Sequence, residues 1–140
     1  MFYQIFIGSI LIIMTIVVEV SFIEIATKAL RWAAQSVHVS TRTLSLIVVL
    51  TGTTLWLLAA LSIAIWIWAI AFMFLDAFGA LEQALYFSMV AFTTLGFGDV
   101  TLPVEWRLLS GFISANGLLL FGLNTAFLIE VMSRVKAMEE

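Results

Sequence analysis

Three long apolar runs set the pattern of the chain, and a short one stands between the second and third. Met1 to about Phe22 carries no charge before Glu19, and Leu44 to Leu75 carries none at all. A third run begins at Pro103 and extends to about Met132, with its charges near the two ends. A helix needs about 20 apolar residues to cross a bilayer, so each run predicts a membrane-spanning helix. The second, about 48 Å long if helical throughout, exceeds the hydrocarbon thickness and must tilt or stand proud of it. Leu81 to Thr93 reads as an apolar helix of half that length, too short to cross. Thr94-Leu95-Gly96-Phe97-Gly98-Asp99 follows at once and is too polar and glycine-rich to continue it. Irregular backbone between two spans is tolerated only where protein buries it or where it lines a water-filled cavity. The pattern therefore predicts an all-α integral membrane protein with a re-entrant loop.

Composition agrees. The chain has 140 residues, 64% hydrophobic and 11% charged, more apolar surface than a soluble domain of this size can hide. With no cysteine, disulfides and thiolate metal sites are excluded. A net charge of −3 without any basic run excludes a nucleic-acid footprint. The first run lacks the basic n-region of a signal peptide and reads as a retained helix that continues to about Ser36, aided by Glu24 and Lys28 at the favourable four-residue spacing. Lys28, Arg31 and Arg42 cluster in the connection 27–43, and Arg134 and Lys136 follow the third span. Basic residues mark the cytoplasmic side, which places the N-terminus, Asp76, Glu82, Asp99 and Glu105 outside and the C-terminus in the cytoplasm. Trp66 and Trp68 suit an interfacial belt, Trp56 a packed or lipid-facing position, and Gly52 a close helix approach. Thr101 is the expected cap of the third span, with Pro103 in its first turn.

The glycine segment carries the chemistry. A dehydrated monovalent cation needs oxygens at several consecutive levels, none holding too tightly. Backbone carbonyls supply them if successive ones face the same way. Gly96 and Gly98 can adopt the positive φ values that permit this, while Leu95 and Phe97 point outward and wedge the loop. Thr94 adds a hydroxyl oxygen. The partially negative C-terminal end of the short helix favours a cation beside it, and Asp99 would gather cations at the outer mouth. One loop forms only part of such a cage, so closure calls for identical copies around an axis.

Thr93-Thr94-Leu95-Gly96-Phe97-Gly98-Asp99 resembles the selectivity filter of the potassium channel family, which normally reads Thr-Thr-Val-Gly-Tyr-Gly-Asp. The resemblance covers about residues 44–132. It implies a pore domain at 44–140, with outer helix 44–75, pore helix 81–93, filter 94–99 and inner helix 103–132. Residues 1–43 would be an additional transmembrane helix with its cytoplasmic connection. It also implies a homotetramer in the lipid of a plasma membrane. The small size suggests a prokaryotic inner membrane. Passive potassium transport is the function implied, with K+ held by the carbonyls of Thr94, Leu95, Gly96 and Phe97 and the Thr94 hydroxyl, Gly98 shaping the outer end, and no cofactor beyond the permeant ion. One departure stands out: where some members carry a glutamate that bonds the filter aspartate, this chain has Val90, so Asp99 needs another partner, Tyr86 or Trp106.

Other residues carry two readings each. Gly117 matches the family's hinge glycine, with Gly111 and Gly122 as rivals, or is a packing glycine. Of Asn116 and Asn124, one is expected to line a wet cavity and the other to bond a neighbouring helix, with Asn124 preferred for the cavity. Phe121, Leu128 and Met132 form a hydrophobic constriction or plain packing. Glu130 rings the inner mouth or pairs with Arg134. Glu19 snorkels, pairs with Arg31 or Arg42, or stays neutral, and His38 is a loop residue. The alternatives are a non-selective monovalent cation channel, a proton-coupled transporter using Glu19, and a non-conducting accessory subunit. No enzyme constellation occurs, and Gly96-Phe97-Gly98 is too short for a nucleotide-binding loop.

Overall fold

The computed structural model describes residues 2–36 and 42–137, and the described residues are helical with no strand. His38 lies outside them, as do the side chains of Arg42 and Lys136. Helix α1 runs Phe2–Ser36, α2 Arg42–Phe74, α3 Leu81–Phe92 and α4 Arg107–Ala137, with a 3-10 turn over Val104–Trp106. Three of these helices are long and apolar enough to cross a membrane, within Phe2–Trp32, Leu46–Phe74 and Val104–Val135. α3, at 12 residues, is about 18 Å long and falls short.

α1 and α2 form an antiparallel hairpin. The Trp56 indole N–H donates to the Phe22 carbonyl at 2.9 Å, and its ring lies 4.7 Å from that of Phe22. α1 and α4 instead run parallel, because their contacts advance together along both: Tyr3 against Trp106, Gln4 with Leu108, Gly8 over Phe112, Thr15 with Asn116. The C-terminal ends of α1 and α4 therefore share one side of the membrane.

The core lies where α2, α3 and α4 meet. Trp68, Phe72, Phe92, Leu109, Ile113 and Leu120 are fully or almost fully buried. Phe72 and Phe87 meet edge-on at 5.5 Å and Phe78 joins both, clamping α3 to α2. Trp68 belongs to this core. It is not the interfacial residue expected, because its face of α2 is the one that α3 covers. Trp66, two residues away and so on nearly the opposite face of α2, stays exposed.

Both α2 and α3 end in the same way. Beyond Phe74 the N–H of Asp76 bonds the Met73 carbonyl and that of Ala77 bonds Phe72, with Asp76 at φ 49°. Beyond Phe92 the N–H of Thr94 bonds Ala91 and that of Leu95 bonds Val90, with Thr94 at φ 59°. This is the Schellman motif, which satisfies the last carbonyls of a helix through one left-handed residue. Gly79 does not serve that role in the first turn; Asp76 does, and a short acidic side chain tolerates it.

Two further expectations are corrected. The cap of the third span is not Thr101. The 3-10 turn starts at Pro103 without a side-chain cap, and Gln4 of α1 accepts the Leu108 N–H at 3.1 Å. Nor is Gly52 a point of close approach, since space around it is open. The close approaches are at Gly8, against the Phe112 ring, and at Gly117.

Candidate ion pathway

The geometry of residues 93–99 follows from the end of α3. The N–H groups of Thr94, Leu95 and Gly96 all turn back onto the Val90 and Ala91 carbonyls, at 3.0 to 3.3 Å. Their own carbonyls must point elsewhere. Positive φ recurs at Thr94, Gly96 and Gly98, and is absent at Leu95 and Phe97 between them. Alternating conformations of this kind send successive N–H groups to one side and carbonyls to the other. Among the described residues no hydrogen bond ends on the carbonyls of Thr94, Leu95, Gly96 or Phe97. The segment thus presents a run of unpartnered main-chain oxygens, directly beyond the partially negative end of a helix.

Thr94 was expected to contribute a hydroxyl; its left-handed backbone was not. A β-branched residue there is a genuine outlier, strained by about 1–2 kcal/mol. Two features of α4 hold the strained segment. The Ser114 hydroxyl donates to the Ala91 carbonyl at 2.9 Å, and Gly117 lies so close to the Phe92 carbonyl that a Cβ would come within 1.8 Å of that oxygen. Ser114 escaped the sequence reading, since one serine in an apolar helix gives no signal of its partner.

Asp99 finds its partner in Tyr86, whose hydroxyl donates to the carboxylate at 2.7 Å. That bond, helped by the backbone N–H groups of Asp99 and Val100, holds the Asp99 carboxyl below its ordinary range. The Tyr86 hydroxyl is pushed above its usual range by the same bond. Leu95 and Phe97 are 58% and 65% exposed, and Met89 on α3 is also exposed, so a single chain leaves this apolar face uncovered.

A family model described as an ion channel matches residues 60–134, more than half of the chain. The chain belongs to that ion channel family. No curated protein and no solved structure matches it. The match takes in the C-terminal part of α2, all of α3, the segment 93–99 and nearly all of α4. The family is non-catalytic, and the chain is a channel rather than an enzyme. Among the described residues no group of three His, Asp or Glu side chains gathers in metal-binding geometry.

The other site candidates of the channel fall in two sets. Asn116 and Asn124 are both buried and turned to α1. The Asn116 amide donates to the Thr15 hydroxyl at 2.7 Å, and Asn124 faces Glu19. Glu130 pairs with Arg134 at 2.6 Å, as Glu24 does with Lys28 at 3.0 Å. Phe121 is partly exposed and meets Phe92 edge-on at 5.9 Å; Leu128 and Met132 are half-buried. The face of α4 that no other helix covers carries Gly111, Ala115, Leu118, Gly122, Thr125 and Ile129.

Proposed function

We propose that the channel conducts potassium passively and selectively through a homotetrameric pore. In this reading α2 is the outer helix, α3 the re-entrant pore helix, 94–99 the filter and α4 the inner helix. The carbonyls of Thr94, Leu95, Gly96 and Phe97, with the Thr94 hydroxyl, replace the hydration shell of K+. Gly98 shapes the outer end, and Asp99 concentrates cations at the mouth. The observation that carries the reading is the alternation of φ at 94, 96 and 98, which leaves consecutive carbonyls without partners. In hydrocarbon such oxygens need a ligand, and a permeant cation is one. The uncovered apolar face at Met89, Leu95 and Phe97 fits neighbouring copies packed behind the filter, and the uncovered face of α4 then borders the pore. Gly117 and Phe121 lie one turn apart beneath the end of α3, and Leu128 and Glu130 stand nearer the inner mouth.

The parallel course of α1 and α4 suits the basic residues at their shared end. In this reading the N-terminus lies outside and the C-terminus in the cytoplasm of a prokaryotic inner membrane. The test is reconstitution of the full chain in lipid vesicles with potassium on one side and sodium on the other. A reversal potential that follows potassium alone is expected, and Gly96→Ala should degrade it by straining the backbone at φ 58° and turning its carbonyl. A reversal potential near zero would favour a non-selective channel, and no flux would favour an accessory subunit.

A further inference from the structure

Glu19 lies inside the first membrane span and is 0% exposed. Neither of its carboxyl oxygens has a hydrogen-bond partner among the described residues, and neither polar atom of the Asn124 amide that it faces has one. The partners expected for Glu19 are out of reach. Arg31 is 12 residues along the same helix, about 18 Å away. Because Trp56 stands level with Phe22, Arg42 lies about 25 Å down α2 from the level of Glu19.

Among the described residues no charge elsewhere faces the site. α2 has no titratable residue between Leu44 and Leu75, and α4 has none between Arg107 and Glu130. Glu130 is already paired with Arg134, and Glu24, the next charge on α1, with Lys28. One turn above, Thr15 and Asn116 bond to each other. A bare carboxylate here would be an uncompensated charge in apolar surroundings, a strongly unfavourable state.

We propose that Glu19 and Asn124 form a binding site for a single proton that latches α1 to α4. With the proton bound, the Glu19 O–H donates to Asn124 Oδ1 and the Asn124 Nδ2–H donates to the other Glu19 oxygen. This closes a cyclic acid–amide pair that satisfies the four orphaned atoms at once. When the proton leaves to water, the O–H bond becomes a carboxylate lone pair. The carboxylate then confronts Asn124 Oδ1 with like partial charge, and α1 parts from α4 at this level so that water can enter. The consequence for conduction rests on the reading of α4 as the inner helix: a proton on Glu19 sets how firmly that helix is braced from outside the pore.

Two readouts on the full chain in lipid vesicles separate the latch from its consequence. Infrared difference spectra between acid and alkaline buffer should show a protonated carboxyl band that is missing in Glu19→Gln and shifted in Asn124→Leu. Absence of the band at every pH, or a band indifferent to Asn124→Leu, overturns the latch. Above the acid range in which Asp99 titrates, potassium flux should depend on pH in the native channel and lose that dependence in Glu19→Gln, where an amide–amide pair closes regardless of pH. Flux with unchanged pH dependence in Glu19→Gln overturns the coupling. If the native channel carries no potassium, the proposed function fails while the infrared band still decides the latch.

Discussion

Gly117→Ala is the sharpest test of how the fold holds the candidate filter. The new Cβ would lie 1.8 Å from the Phe92 carbonyl oxygen, whereas ordinary contact begins near 3.4 Å. The oxygen is backbone, fixed in the last turn of α3, so no rotamer change relieves the clash. α4 and the end of α3 must separate by about 1.6 Å, the difference of those two distances. The same movement pulls Ser114 off the Ala91 carbonyl, since 2.9 Å plus that separation is no longer a hydrogen bond. Overpacking of this kind destabilises by about 1–3 kcal/mol, and the lost bond adds about 0.5–1.5 kcal/mol. A helical Gly→Ala change at an open position instead gains up to about 1 kcal/mol. Gly111→Ala supplies that control, because nothing lies within 4 Å of its would-be Cβ. The assay is thermal loss of helix packing in detergent, followed by near-ultraviolet circular dichroism of the tryptophans, with potassium flux in parallel. Gly117→Ala should melt well below the native channel and lose flux, while Gly111→Ala melts at or above it. Equal melting of the two variants would refute the packing argument and return Gly117 to the role of a free hinge.

Two further outcomes follow from the candidate ion pathway. Thr94→Gly relieves a β-branched residue of a left-handed backbone and should raise stability by about 1–2 kcal/mol; the same change removes the proposed hydroxyl ligand and should degrade potassium selectivity, as bi-ionic reversal potentials will show. Tyr86→Phe deletes the donor that holds Asp99 below its ordinary range, so the acid-side fall in current should begin at higher pH in the variant. The sign is that of a depressed carboxylate: the interaction is fully present above the ordinary Asp value and is lost as pH falls through the lowered one. Current titrations that superimpose for native and Tyr86→Phe channels, at low ionic strength where mouth charge is least screened, would remove Asp99 from the mouth.

The spans and the short helix were legible because each is a matter of length and uncharged run, and helices in lipid have few other options. The position of α1 was not legible. Its contacts with α4 rest on single residues, namely Gln4 capping Leu108, Gly8 admitting Phe112 and Thr15 meeting Asn116, none of which differs in local sequence from a lipid-facing residue. For the same reason Trp68 read as an interfacial tryptophan, although packing by α3 buries it. In the candidate filter, Gly96 and Gly98 announced their positive φ by composition. Thr94 did not, because its strain is imposed by the Schellman closure of α3 and not by its own preference. Tyr86 could be named beforehand, beside Trp106, as a candidate partner of Asp99 because Val90 offers the carboxylate no polar group. That Asn116 and Asn124 both turn to α1 was hidden, since their spacing alone leaves the face they share undecided.

In the proposed pore, unpartnered carbonyls of residues 94–97, from identical chains around one axis, stand in for the water around a potassium ion. Its most direct test is a density map of the purified channel in lipid, recorded with thallium in place of potassium. Four chains with heavy-ion density stacked on the axis at the level of those carbonyls is the expected result. A solitary chain, or heavy ions anywhere but beside residues 94–97, would contradict it.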